Sequence, residues 1–171
     1  PIAPDAAREW AWLIIALSLI AVIYVGLVAL VQQDMKKLVA YSSVAHMGFV
    51  FLGIASLTLV GVTGAVVVMV AHGFLAALSF GLTGYLYRQT GTLDLGQLGG
   101  LLHRLPFIGT ACIMAMLAGC GLPGFANFAA EVMIFFGGFS GVYSQQTGIV
   151  IGPVQVATIC AIWGVVISAV Y

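Results

Sequence analysis

The sequence predicts an all-α integral membrane protein of about five transmembrane helices, the fourth of them broken. Three observations carry that expectation. Of 171 residues, 63% are hydrophobic and 6% charged, with a mean hydropathy of +1.19. A soluble domain carries roughly a quarter charged residues, so this chain has no polar shell to present to water. The apolar residues fall in runs of about 20, the length a helix needs to cross a bilayer. One run is much longer than the others and contains "GCGLPG" at residues 119–124.

The spans are expected at 11–31, 38–57, 63–87, 105–140 and 149–171, together forming a single transmembrane domain over 1–171. The joints read "QQDMKK", "SLTLVG", "RQTGTLDLGQLGGLLHR" and "GVYSQQTG". The long runs lack the two-residue alternation of a membrane strand. The fourth run exceeds one ordinary crossing and falls short of two with a turn. Pro123 removes a helix hydrogen bond and the flanking glycines favour irregular backbone. The economical expectation is one crossing by half-helices near 106–119 and 126–140, with a packing kink as the alternative. Unwound backbone at membrane depth needs protein or a water-filled cavity around it, and transporters build ion sites at such breaks.

Charge placement gives the orientation. Lys36, Lys37, Arg88 and Arg104 fall in the first and third joints, on one side of the membrane. The positive-inside rule makes that side cytoplasmic, so the amino end starts outside and the carboxyl end finishes inside. Formal net charge is zero, which argues against nucleic acid or an acidic ligand as partner. Cys112, Cys120 and Cys160 are scattered through apolar runs without metal-ligand spacing and read as small buried hydrophobes. No iron-sulfur, haem or metal site is expected in this chain. The start at Pro1 and the stop at Tyr171 inside an apolar run suggest an internal piece of a longer protein.

Glu131 is the one charged residue well inside an expected span. An ionisable group near mid-bilayer costs about 2.5–3.5 kcal/mol even on insertion scales, so such residues mark ion or proton pathways. A structural glutamate bonded to a neighbouring helix is the alternative. Asn127, at i−4, shares its face and is placed to orient the carboxyl. His46 lies nine residues past Lys37, about 13 Å deep at helical rise. His72 falls near the middle of the third span. Histidine titrates near physiological pH, which suits a relay, and each also has a hydrogen-bonded structural reading. Ser42, at i−4 from His46, extends a polar path on the same face. His103, beside Arg104, reads as interfacial. Lys36 and Lys37 are either snorkelling anchors or gate charges at the mouth of a path. The small residues of the third span, from Gly64 to Gly84, suit close helix packing.

Four stretches carry a resemblance: "QQDMKKLVAYSSVAHMGFVFLG" (32–53), "VMVAHGFLAALSF" (68–80), "LGGLLHRLPF" (98–107) and "LAGCGLPGFANFAAEVMIF" (117–135). Together they resemble the antiporter-like subunits of respiratory NADH:quinone oxidoreductase (complex I), and most of all the chain M, or subunit 4, type. The resemblance implies a fourteen-helix subunit with two inverted five-helix repeats, each holding a broken helix and a half-channel. This chain would be the second repeat, in the carboxyl-terminal half. Glu131 matches the terminal protonatable glutamate of the chain M type, where the L and N sisters use lysine. His46 and His72 match histidines of the central proton path, and Lys36 and Lys37 match the basic step before "LVAYSS". The resemblance also implies that NADH, FMN, iron-sulfur clusters and quinone belong to partner subunits. A further glutamate and two lysines would lie before Pro1. The implied activity is proton translocation driven by electron transfer elsewhere in the complex, in a bacterial inner (plasma) membrane. The same superfamily includes multisubunit sodium/proton antiporters and energy-converting hydrogenases, which are the alternative. A structural membrane module, with its polar residues only stapling helices, is a third class.

Overall fold

The computed structural model describes residues 9–140 and 152–170. Helix α1 is Ala11–Leu30, with a π-helical stretch at Ile20–Val25 that its sequence does not announce. Helix α2 is Met35–Ala55 and α3 is Leu59–Thr90. A short α4, Leu101–Arg104, precedes α5, Pro106–Gly119, and α6, Ala126–Phe139. Helix α7 is Pro153–Ser168. The expected fourth joint, and the residues before Glu9 with Asp5 and Arg8, lie outside the described residues.

Several boundaries move for reasons of capping. The Asp34 carboxylate accepts the Lys36 N–H at 2.8 Å and the Lys37 N–H at 3.2 Å, so α2 starts three residues earlier than the expected 38. Lys36 and Lys37 therefore occupy the first turn of a helix and not the joint. Thr58 Oγ1 accepts the Gly61 N–H at 3.1 Å, which starts α3 at Leu59 instead of 63. Gly91 ends it in the left-handed conformation, φ 72°, leaving Arg88 in the last helical turn. At 32 residues, α3 is about 48 Å long against a hydrocarbon core of about 30 Å. Tyr85 and Tyr87 are exposed on its overhanging end, where aromatic rings favour the interface.

The half-helices stand where the sequence places them, with Pro106 at the first turn of α5. Between them Gly121 and Gly124 adopt φ 67° and 113°. Both halves lie end to end along α3, in antiparallel register. Gly137 of α6 meets Gly61, Ala130 and Met133 meet Gly64, and Gly119 at the end of α5 meets Leu75. Cys112 and Ala115 then pack with Leu82 and Leu86. That continuous register makes α5 and α6 one crossing with a break, not a re-entrant pair and not a mere kink.

Two close approaches set the packing. A Cβ on Gly48 would lie 2.6 Å from Val22 Cγ2 and 2.9 Å from the Ser18 carbonyl, so α1 lies directly on α2. Val22 comes from the π-helical stretch and also wedges against Gly164 of α7. The main core, with Phe49, Leu52, Ala65, Ala130 and Ile134, joins α2, α3 and α6. The small residues of α3 behave in two ways. Gly64 and Ala65 are buried in helix contacts, whereas among the described residues nothing stands within 4 Å of a Cβ placed on Gly73, Gly81 or Gly84.

Candidate functional site

The break brings the sequence-selected residues to one level. His46 and His72 come from α2 and α3, which run antiparallel from the Ser56–Thr58 turn. Their ring centroids are 4.9 Å apart, edge to face at 77°. They are 4% and 6% exposed. Neither ring nitrogen of His72 finds a hydrogen-bond partner among the described residues. Buried polar atoms are ordinarily satisfied by protein or by water, so these two nitrogens mark a place for water.

The place exists. A cavity of about 140 Å³ reaches from Met35 and Leu95 at one end to His46, His72 and Gly119 at the other. That is ample for several waters, since one needs only about 10–15 Å³ on the same measure. Ser42, Ser43 and Ser79 add hydroxyls to its wall. The i−4 relation of Ser42 to His46 is thus a shared cavity face. Ser43 and Ser79 escaped the sequence reading, although Ser79 lies two turns from His72 and so on the same side of α3. Cys112 and Cys120 also line the cavity.

Glu131 is not among the residues lining this cavity and is 4% exposed. A Cβ on Gly121 would lie 2.7 Å from Glu131 Oε2, so the carboxylate rests directly on the backbone of the break. Gly119, lining the cavity beside His46, is two residues away, a backbone span of at most about 7 Å. The helix ends add direction. The carbonyls of Met116, Leu117 and Ala118 at the end of α5 accept backbone N–H groups of the break, whereas the start of α6, the positive end of its dipole, opens onto the break with no side-chain cap among the described residues.

Asn127 does something other than orient the carboxyl. Its Nδ2 donates to the Ala118 carbonyl at 3.2 Å, tying the first turn of α6 to the last turn of α5. The Gly121 N–H also reaches that carbonyl, at 3.4 Å, so the amide adds a side-chain donor to the closing turn of α5. Lys36 and Lys37 are exposed at the start of α2, and the next turn, Leu38 and Val39, lines the cavity. His103 is exposed, as an interfacial residue would be. The first and third joints, which the lysines and arginines flank, meet at one face, through backbone bonds from Met35 to Leu93 (3.0 Å) and from Leu95 to Gln33 (2.9 Å).

Residues 1–158 match the family model described as NADH:quinone oxidoreductase/Mrp antiporter, TM. The chain is 40% identical over 171 residues to NADH-quinone oxidoreductase subunit M of Rickettsia conorii, covering all of this chain and 32% of that protein. It is 39% identical over 171 residues to the Pseudomonas aeruginosa protein of the same name, covering all of this chain and 31% of that one. The chain thus spans about a third of the length of these relatives. A chain of the structure titled respiratory complex I from Thermus thermophilus with bound NADH superposes with a TM-score of 0.88 at 30% identity. That match covers all of this chain and 34% of the other. The chain is an all-α integral membrane protein of the NADH:quinone oxidoreductase/Mrp antiporter transmembrane family, and within it of the subunit M type.

Proposed function

We propose that this chain serves as the second five-helix repeat of a proton-translocating membrane subunit of NADH:quinone oxidoreductase. The observation that carries the reading is the meeting of a buried carboxyl, a buried histidine pair and a cavity with serine hydroxyls in a mostly apolar wall at one helix break. Water in the cavity would bring protons to His46 and His72. The rings touch edge to face without a hydrogen bond between their nitrogens, so transfer between them would run through water. Glu131, one short backbone step across the break, holds and releases the proton on the other side. Lys36 and Lys37 act as gate charges at the end of the helix that lines the cavity.

Electron transfer needs NADH, FMN, iron-sulfur clusters and quinone, which this reading assigns to partner subunits. This chain's part is to hold and move protons. The relatives named are subunits of an oxidoreductase complex, so the other membrane and peripheral subunits of that complex are the proposed partners, in a bacterial plasma membrane.

The test uses the full-length protein in its complex, in membrane vesicles, with proton uptake driven by NADH oxidation. Glu131→Gln is expected to lower pumping at least about tenfold, as loss of a positioned proton-transfer group does, while Glu131→Asp retains much of it. Assembly of the complex is checked in parallel. Normal pumping by the assembled Gln form would make Glu131 a structural staple and end the relay reading of this residue.

A further inference from the structure

The segment between α3 and α4 is built as a strap. Thr90 Oγ1 donates to the Leu86 carbonyl at 2.8 Å, and the Asp94 N–H donates to Thr92 Oγ1 at 3.2 Å. Asp94 then folds the chain back: its carboxylate accepts the Gly96 N–H at 3.0 Å and Gln97 Nε2 at 3.0 Å. The strap is fastened to the α1–α2 joint by the two backbone bonds already described, which make Asp34 and Asp94 an antiparallel bridge. Loops seldom hold so many internal and external bonds without positioning something.

What it positions is Leu95. Every other residue lining the cavity comes from α2, α3, α5, α7 or the break itself, and Leu95 alone comes from the strap. Its backbone is bonded to Gln33, so it stands at the level of Met35, the first residue of α2. At that end the cavity wall is alkyl, formed by Met35, Leu38 and Leu95. Deeper in, Ser42, Ser43 and Ser79 lead to the histidines. A constriction of alkyl side chains ahead of buried polar groups gates by dewetting: water enters when the side chains part and leaves when they close.

We infer that Leu95 is the plug of the cavity on the lysine-bearing face, and that the Asp94-folded strap holds it there. The strap thereby sets how readily water reaches His46 and His72. The inference extends the proposed proton route, because that route is what the plug would control. Its test reads access to the cavity and is independent of transport.

Two native thiols report on the chamber behind the plug. Cys112 and Cys120 line the cavity, and Cys160 on α7 does not. The full-length protein, carrying Cys160→Ala, is exposed in inside-out vesicles to 2-aminoethyl methanethiosulfonate, which is small and water-soluble. The Cys112 sulfur attacks the reagent's sulfenyl sulfur, a mixed disulfide forms and methanesulfinate leaves. Peptide mass spectrometry gives the rate at each cysteine. Leu95→Ala is expected to speed labelling of Cys112 by about tenfold, and Leu95→Trp to slow it, as removing or enlarging an apolar plug should. Asp94→Ala loosens the strap without touching the cavity and is expected to speed labelling too. Equal rates in all forms, or no labelling of Cys112 even in Leu95→Ala, would overturn the inference. If labelling follows Leu95 while the Glu131→Gln form still pumps, the plug stands and the relay reading fails.

Discussion

Glu131 and Gly121 have to be understood as a pair. Gly121 holds φ 67° and faces the carboxylate, so a side chain there meets both a strained backbone and an occupied space. Gly121→Ala should cost about 1–2 kcal/mol from the left-handed conformation alone, and should displace the carboxyl as well. A lowered thermal midpoint together with reduced NADH-driven pumping is expected; unchanged pumping would mean that the carboxyl's position is not critical. The histidines differ in a testable way. Among the described residues His72 has two nitrogens without a hydrogen-bond partner and lines the cavity, so His72→Asn, which keeps a polar end of smaller size, should fold and assemble while pumping poorly. Retained pumping would assign His72 a structural role.

At the scale of the element, the break is held by Asn127. Its hydrogen bond to Ala118 spans two half-helices that share no continuous backbone ladder. Asn127→Ala should lower stability by about 0.5–1.5 kcal/mol, the usual net worth of such a bond, read as a shift in the unfolding midpoint of the purified complex. The long α3 depends on Gly61 against Gly137, where the two backbones touch. Gly137→Val drives a branched side chain into the Gly61 backbone and should block assembly, seen as loss of the intact complex on native gels. Gly81→Val, at a position with nothing within 4 Å among the described residues, should assemble normally and serves as the contrast.

At the scale of the molecule, the basic residues gather on one face because the first and third joints are bonded to each other there. The orientation that follows has a direct check. A cysteine at the exposed Gly99 should react with an impermeant maleimide from the cytoplasmic side, and one at the exposed Leu59 from the other. The reverse pattern would invert the assignment, and reaction of both from one side would mean that α3 does not cross. Lys36 and Lys37 remain at that face, in the first turn of α2. Removing both charges should slow proton entry at high salt less than at low salt, since exposed charges act through a screened field.

Sequence alone determined the class, the break and the anomaly at Glu131. Hydropathy fixes how much chain must lie in lipid, Pro123 and its glycines cannot continue a helix, and a lone acid in an apolar run has no ordinary reason to be there. His46 and His72 were legible as candidates because ionisable groups in such runs are few. Their contact was not, since it depends on the register of α2 against α3, which capping at Asp34 and Thr58 sets. The partner of Asn127 was misjudged for a related reason. An i−4 rule sees one helix face, and the acceptor was a carbonyl at the end of another helix. The cavity, the strap and the plug at Leu95 belong to tertiary structure entirely. They arise where four elements and a loop leave space between them, and no periodicity within one segment encodes a space between several.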